Sequence, residues 1–438
     1  MLFQGLLLSL VSCILFSLFN FIEMILFMPR FARKLPFHYG WLIAFCGFLT
    51  LFSCLGLARF AYGMLLPSMR AGLALAYDQM GFISTGNFTG YLVSVALAPW
   101  AIRTFRPRST IVFGLLLIAV CMFSISRAEQ FISVLILYTL IGFGSGFANV
   151  PAMVLVAHWF RRQRRGRAAG AMIMGNGSAI VFAGYAVPFL TEMPGGAGWR
   201  SGWLVIGVIS LMIALIVGVL LRNDPADLKI EPVGEPEPIA GSELVEKEES
   251  GGGRIIVQLG LVYLIFGATY VIYGTFIVTT MVDEFAFSEA RAGFYWSWVG
   301  LFSIFSGIGF GTLSDRIGRK KGLATVYAIQ TVAYFLVGSG IGGAALVVSI
   351  VLYGISAFAI PTIMAAAVGD YLPISRAAAA FSAITFFFAV GQTVGPAVAG
   401  ILAESSGTFS FSYLMSSGLT GLAIVMSMLL PRPASANR

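Results

Sequence analysis

The chain has 438 residues, of which 58% are hydrophobic and only 11% are charged. Soluble proteins carry about 25% charged residues, so this composition excludes an ordinary soluble protein and indicates a chain that lies in lipid. The formal net charge of +8 comes from basic residues scattered over short loops, a distribution that argues against nucleic-acid binding.

The first 35 residues form a hydrophobic N-terminal extension. Residues 1–28 are long enough to cross a bilayer, and they lack the basic start and small-residue cleavage site of a signal peptide. Two interpretations stay open. The extension is either an extra membrane helix, or an upstream segment of a chain whose true start is Met24 or Met28.

Twelve apolar runs follow, each long enough to span a membrane as a helix. They predict two six-helix bundles, residues 36–222 and 255–430, with a cytoplasmic tail at 431–438. Residues 223–254 between the bundles are rich in acidic residues, Pro and Gly, which predicts a mobile polar linker. The predicted spans are 41–66, 80–102, 109–127, 130–157, 168–190, 202–221, 255–281, 292–313, 322–339, 343–366, 377–402 and 411–430.

Basic residues predict the orientation of the chain. Of the 27 Lys and Arg residues, four (Arg70, Arg127, Arg200 and Arg291) fall in loops opposite the linker and one, Arg59, falls within a span. The other 22 lie on the side of the linker. Because cytoplasmic loops are enriched in Lys and Arg, the linker and the C-terminus are predicted to be cytoplasmic.

The two bundles repeat each other in sequence. Segment 56–63 of the first span matches segment 267–274 of the seventh, and three further matches recur at similar spacing. Because each half has an even number of spans, the halves have the same orientation, and a transport site is expected between them near the middle of the membrane.

One loop carries a specific motif, between the eighth and ninth spans. Gly311, Asp315, Arg316, Gly318 and Arg319 stand in a pattern that resembles the G-x-x-x-D-R-x-G-R loop of the major facilitator superfamily. The resemblance implies an all-α integral membrane protein with twelve transmembrane helices in two pseudo-symmetric bundles. It also implies secondary transport by alternating access, with these five residues in a cytoplasmic gate.

A weaker resemblance concerns the substrate. The segment His38-Tyr39-Gly40-Trp41 resembles the entry to the first span in bacterial monocarboxylate-type members of that superfamily. This implies a bacterial cytoplasmic-membrane protein and an anionic substrate. In the first half the equivalent loop, 98–108, keeps basic residues but lacks the Asp, so a charge-relay gate is not expected there.

Arg59 is the only charge well inside one of the twelve spans. An Arg at membrane depth costs at least about 2.5–3.5 kcal/mol, so it normally faces a cavity or a partner. In one interpretation Arg59 binds an anionic group of the substrate, with Tyr62 one turn further on. In a second it pairs with Asp283 or Glu284 as an outer gate. In a third its side chain snorkels to the membrane surface.

Further candidates come from the duplication and from polar residues in spans. The duplication places Tyr270 and Tyr273 opposite Arg59 and Tyr62. Intramembrane amides usually face the protein interior, and three are predicted to line the substrate path. These are Asn149, Asn176 and Gln392. Trp296 opens the eighth span and is interpreted as part of the interfacial aromatic belt.

The sequence therefore predicts a transporter of a small organic anion such as a monocarboxylate. The coupling stays open between a proton, a counter-anion and uniport. An exporter of amphipathic compounds and a non-transporting membrane sensor or assembly factor are the alternatives. No enzyme activity, cofactor or metal site is predicted, because the four Cys lie in apolar runs without ligand spacing. The chain is expected to be a monomer in the lipid bilayer.

Overall fold

The computed structural model describes residues 35–191, 198–235, 252–372 and 374–431. The predicted N-terminal extension and C-terminal tail lie outside these ranges except for one residue each. Within them the chain forms twelve long helices. These are α1 (Tyr39–Leu73), α2 (77–105), α3 (107–125), α4 (Phe131–Trp159), α5 (Arg162–Thr191), α6 (Gly198–Leu220), α7 (Gly252–Asp283), α8 (Glu289–Ile317), α9 (Arg319–Gly338), α10 (Gly343–Tyr371), α11 (Ile374–Ser406) and α12 (Ser410–Met428).

Most of these helices are long and apolar enough to cross a membrane. Helices α2 and α3 together cover the 49 residues Tyr77–Ile125, which is about twice the length of one span. Arg106, with φ of 64°, breaks the helix between them. The predicted all-α membrane fold is confirmed, and the break at Arg106 falls in the predicted basic loop.

Helices α1–α6 form the N half and α7–α12 form the C half. Glycines let helix backbones touch within each half. Gly142 of α4 packs directly on the backbone of Asn87 in α2, and Gly391 of α11 packs on the carbonyl of Leu264 in α7. Close helix crossings therefore account for part of the abundance of Gly in the sequence.

Three helix pairs join the two halves: α1 with α7, α2 with α11, and α5 with α8. Close contacts along these pairs lie towards the predicted outer face. A Cβ on Gly63 would lie 2.8 Å from the carbonyl oxygen of Gly274, and one on Gly300 would lie 2.6 Å from that of Gly177. These contacts seal the halves together on that side.

The predicted cytoplasmic side is less closely packed between the halves. Helices α4 and α10 pack mainly within their own halves. On α5, a Cβ at Gly166 or Gly170 would meet no atom within 4 Å. The described contacts therefore close the passage at the predicted outer face and leave it less restricted towards the linker.

The beginning of the predicted linker is folded, which corrects the expectation of a uniformly mobile segment. Pro225–Leu228 form a 3-10 helix, and Leu228 is buried. Val233 forms a parallel backbone bridge with Phe160, and Arg161 forms an ion pair with Glu231. Apolar residues in the otherwise acidic segment dock it on the N half. Residues 236–251 lie outside the described ranges.

Candidate functional site

Arg59 lies in an irregular part of α1. Residues Phe52–Phe60 form a π-helix, a rare conformation that occurs frequently at functional sites. From there the Arg59 side chain reaches a pocket between the two halves, which has walls from α1, α2, α4 and α7. The pocket is lined by Arg59, Phe60, Ser84, Phe88, Tyr138, Tyr270, Val271, Gly274 and Thr275.

Two aromatic rings of α2 cover the guanidinium group of Arg59. Its central carbon lies 4.2 Å from the ring centroid of Tyr91 and 4.9 Å from that of Phe88, within cation–π range. The Nε and Nη2 atoms are buried without a hydrogen-bond partner among the described residues. The guanidinium thus contacts two aromatic rings, while its Nε and Nη2 donors stay unpaired among the described residues.

Polar side chains from both halves hold the aromatic neighbours of Arg59. Asn149 donates a hydrogen bond of 2.8 Å from Nδ2 to the Tyr91 hydroxyl. On the other side, Gln392 donates from Nε2 to the Tyr270 hydroxyl at 2.6 Å, and that hydroxyl lies near the guanidinium. The structure therefore brings four predicted residues together and adds Tyr91, an uncharged residue that the search for intramembrane charges and amides missed.

Tyr62 and Tyr273 lie away from the pocket. Tyr62 is buried against the ring of Tyr138, with its hydroxyl donating to the carbonyl of Met80. Tyr273 is buried against the ring of Tyr353, 4.0 Å between centroids. Each tyrosine therefore packs α1 or α7 onto a neighbouring helix of its own half.

Tyrosines of α4 and α10 hold the pocket-lining turns of α1 and α7. The Tyr138 hydroxyl of α4 donates to the carbonyl of Arg59 at 3.4 Å. The Tyr353 hydroxyl of α10 donates to the carbonyl of Tyr270 at 2.8 Å. Arg59 and Tyr270 occupy matching positions in the repeat, whereas Tyr138 and Tyr353 do not, so each half holds its pocket-lining turn with a tyrosine from a different position.

Two further predicted positions lie outside the pocket. Asn176 of α5 is buried near Gly56 of α1, and its Oδ1 has no partner among the described residues. Trp296 does not belong to an interfacial belt. It is fully buried, with its ring centroid 6.3 Å from that of Phe60, and it lies seven residues into α8, which begins at Glu289, three residues before the predicted span.

The pocket is contracted in this conformation. Its cavity volume is about 10 Å³, which leaves room for about one water molecule. A substrate larger than water therefore requires the two halves to separate at the pocket, as alternating access demands.

An ion pair joins the two halves at the predicted outer face. Arg70 of α1 lies 2.9 Å from Asp283 of α7, and its guanidinium stacks on the ring of Tyr77. The partner of Asp283 is therefore Arg70, whereas Arg59 lies deeper. Glu404 of α11 accepts a hydrogen bond from the Tyr77 backbone amide at 2.8 Å.

Glu284, next to Asp283, occupies a half-buried position within the C half. It accepts a hydrogen bond of 2.7 Å from the Phe409 backbone amide. Burial raises the pKa of Glu284 above the ordinary 4.5, and the amide hydrogen bond only partly opposes this. The ionised carboxylate is therefore less favourable here than in an unfolded chain.

We expect this burial to make stability depend on pH. Because the folded-state pKa is raised, ionised Glu284 destabilises the fold at neutral pH, and this penalty is relieved as pH falls through the raised pKa towards 4.5. Glu284→Gln should therefore raise the melting temperature at pH 7 and reduce its dependence on pH. Thermal unfolding of purified protein in detergent measures this, with exposed Glu129→Gln as the control. Equal pH slopes for both variants would contradict it.

The motif of the α8–α9 loop links three helices of the C half. Arg319 forms ion pairs with Asp315, in the last turn of α8, and with Asp370, near the end of α10, at 2.5 and 2.6 Å. Gly318 has φ of 89°, which lets the chain turn sharply between α8 and α9. Gly311 faces Thr362 of α10, and Arg316 is exposed.

Metal-binding groups do not cluster in the described part of the chain. Cys46, Cys54 and Cys121 are buried and free. The site offers groups that can bind a ligand. These are the hydrogen-bond donors on one edge of the Arg59 guanidinium, several hydroxyl groups and aromatic side chains.

The chain is similar to known proteins in sequence and in fold. The chain is 22% identical over 401 residues to the hexuronate transporter of Bacillus subtilis (strain 168), which covers 86% of this chain and 91% of that protein. It is 27% identical over 420 residues to monocarboxylate transporter 11 of Mus musculus, which covers 90% and 88%. The crystal structure of a D-xylose-proton symporter has a TM-score of 0.71 at 15% identity, with 91% of this chain and 98% of that chain covered, which supports the fold alone.

The family assignment rests on a match over most of the chain. The family model described as "Uncharacterised MFS-type transporter YbfB" matches residues 51–428, which include α2–α12 and the Arg59 end of α1. The resemblance to the major facilitator superfamily is thus confirmed, and the chain is a multi-pass membrane transporter and not an enzyme. The chain belongs to this YbfB-type family of MFS transporters.

Proposed function

We propose that the protein transports a small organic anion by alternating access, with Arg59 as the ligand of the anionic group. The observation that carries the proposal is the Arg59 guanidinium in the pocket between the halves, where Nε and Nη2 have no described partner. A buried cation without a counter-charge is costly, and a carboxylate from the substrate would relieve that cost.

The chemistry of the free edge favours an oxyanion. Nε–H and Nη2–H point in parallel, and this edge of a guanidinium binds the two oxygens of a carboxylate at once. Among the described residues that line the pocket, Arg59 carries the one formal charge. The names of the two sequence relatives, a hexuronate and a monocarboxylate transporter, agree with an anionic substrate.

The contacts between the halves support a transport cycle. The Arg70–Asp283 ion pair and the glycine contacts of α5 with α8 lie on the predicted outer side of the pocket. We propose that they form the outer gate, and that the Gly311–Arg319 motif belongs to the cytoplasmic gate. We also propose a bacterial cytoplasmic-membrane location, with the linker and C-terminus in the cytoplasm, as the basic loops predict.

The arrangement limits how a proton could be coupled. No carboxylate or histidine is found among the described pocket-lining residues. A coupled proton would therefore be carried by the substrate itself or by carboxylates of the outer gate, such as Asp283. Exchange for a second anion and uniport need no such group.

The proposal is tested by flux measurements on purified protein in liposomes. Labelled lactate and a labelled hexuronate should enter or exchange, and Arg59→Gln should lower the rate about 10- to 100-fold, as expected for loss of a charge-assisted contact. Arg59→Lys should be intermediate, because it keeps the charge but loses the two-pronged edge. Arg291→Gln, at the predicted outer face against the ring of Phe287, is the matched control.

Three results would contradict the proposal. Normal flux in Arg59→Gln would remove Arg59 from the site. Transport of lipophilic cations without transport of any anion would favour an exporter of amphipathic compounds. Complete absence of flux from correctly folded wild-type protein would favour a membrane sensor.

A further inference from the structure

We propose that the pocket selects a monocarboxylate that also carries a hydroxyl group, because the free edge of Arg59 and a pair of hydroxyls from opposite halves line the same cavity. This inference rests on the proposed function and narrows its substrate class. It also assigns two residues, Ser84 and Thr275, that carry no charge and are not amides.

The charge of the pocket matches one carboxylate. The guanidinium of Arg59 is flanked by the rings of Phe88 and Tyr91, and its free edge can hold two oxygens of one group. A second carboxylate on the substrate would enter the same pocket without a cation to pair with, and burying it unpaired would be costly. The pocket therefore favours monoanions over dianions.

The hydroxyl pair lies on another part of the pocket wall. Ser84 Oγ of α2 and Thr275 Oγ1 of α7 are 3.3 Å apart, and both residues are buried. Hydroxyl–hydroxyl bonds are normally 2.7–2.8 Å long, so this contact is loose. Each hydroxyl can both donate and accept, so each keeps hydrogen-bonding capacity for a ligand.

A hydroxyl group on the substrate would fit between these two side chains. It could accept a hydrogen bond from one and donate to the other when the halves separate to admit the ligand. A substrate without the hydroxyl would leave Ser84 and Thr275 apart and unpaired in the widened pocket, which is unfavourable for buried polar groups. A site built to hydrogen-bond a hydroxyl rejects the analogue that lacks it.

The position of the Ser84–Thr275 pair also links substrate binding to the movement of the two halves. Ser84 belongs to the N half and Thr275 to the C half, so a bridging hydroxyl would connect the two bodies that move. The Arg59 edge and the Tyr270 hydroxyl similarly come from opposite halves. A ligand that contacts the Ser84–Thr275 pair as well as Arg59 and Tyr270 would favour closure of the two halves around itself.

The test compares binding of acids that differ by hydroxyl groups, measured by isothermal titration calorimetry on the full chain in detergent. The pairs are lactate with propionate and gluconate with hexanoate. Wild type should bind at least one hydroxy acid about tenfold more tightly than its deoxy partner, the effect of about one good hydrogen bond. The double variant Ser84→Ala/Thr275→Val should bring the two affinities together. It should weaken binding of the hydroxy acid and strengthen binding of propionate or hexanoate, because no buried hydroxyl is then left unpaired.

Thr269→Val is the matched control, because Thr269 lies on the same helix and bonds to the carbonyl of Ile265 within it. It should keep the wild-type preference. Equal binding of hydroxy and deoxy acids by wild type would overturn this inference while leaving the proposed function intact. An unchanged preference in the double variant would overturn the assignment of Ser84 and Thr275. Failure of every carboxylate to bind would overturn the proposed function as well.

Discussion

Gly300→Leu is expected to abolish transport by preventing the two halves from closing at the predicted outer face. Gly300 of α8 faces α5 across the interface, where a Cβ would lie 2.6 Å from the carbonyl oxygen of Gly177 and 2.7 Å from the amide nitrogen of Val181. Both atoms belong to the backbone, so no side-chain rotation relieves the contact. Overpacking of this kind costs about 3 kcal/mol, which is a shift of about 100-fold in the ratio of the two conformations.

The same helix provides a matched control for this substitution. Gly309 lies further along α8, and a Cβ there would meet no atom within 4 Å. Gly309→Leu should therefore keep wild-type flux and conformation. The two substitutions add the same side chain to the same helix, so a difference between them reports the contact with α5.

The conformational change is measured with spin labels at the predicted outer face. Gln130, before α4 in the N half, and Ile341, before α10 in the C half, are exposed and suit the labels, in a background without other cysteines. Double electron–electron resonance should show a longer distance in Gly300→Leu than in wild type or Gly309→Leu. Wild-type distance together with wild-type flux in Gly300→Leu would show that the α5–α8 contact does not gate transport.

The composition and the internal repeat of the chain predicted its fold, because each of them reflects a simple physical requirement. Lipid demands long apolar helices, and the match of segment 56–63 with 267–274 indicated two like-oriented halves. Arg59 was found for the same reason, since one charge inside an apolar span is costly enough to need an explanation. The pairing of its position with Tyr270 followed from the repeat, and both residues line the pocket.

Other features depend on packing that the sequence does not reveal. Tyr91 is uncharged and has no match in the repeat that would distinguish it from the other 14 tyrosines. Its contact with Arg59 depends on how α2 turns relative to the π-helical part of α1. Arg70 was counted as an outer-loop charge, because the predicted first span ends at residue 66. In the structure the helix continues to Leu73, and Arg70 lies in its last turn. Its partner Asp283 is 213 residues away.

Tyr273 illustrates the limit of reasoning from helical spacing. Tyr270 and Tyr273 are three residues apart, a spacing that places two side chains on neighbouring positions of one helix face. In the structure Tyr270 lines the pocket, whereas the hydroxyl of Tyr273 bonds to Ser349 of α10, inside the C half. Three residues on an α-helix correspond to about 300°, and the remaining 60° was enough to separate a pocket wall from a helix interface.

Neutralising three carboxylates of the C half is expected to open the predicted outer face. Asp283, Glu289 and Glu404 each accept a hydrogen bond from the N half. Their donors are the guanidinium of Arg70, the hydroxyl of Thr191 and the backbone amide of Tyr77. Tyr77 begins α2, so Glu404 also places a negative charge at the positive end of that helix.

The combined effect should exceed that of any one contact. Arg70 and Asp283 are partly exposed, with 35% and 23% of their side-chain surfaces accessible, so solvent weakens their attraction. At about 1 kcal/mol for each charge-assisted contact, the triple variant Asp283→Asn/Glu289→Gln/Glu404→Gln loses about 3 kcal/mol, or about 100-fold in favour of the open outer face. Single variants should shift the equilibrium by about fivefold.

The spin-label pair at Gln130 and Ile341 measures this shift, and Glu129→Gln is the control for loss of an exposed acidic charge near the same face. The triple variant should populate the longer distance that Gly300→Leu is expected to produce. Because its helices retain their glycine contacts, the triple variant should still close when substrate is added, whereas Gly300→Leu should not. If the triple variant keeps the wild-type distance, the glycine contacts alone hold the outer face shut, and the carboxylates have no part in the gate.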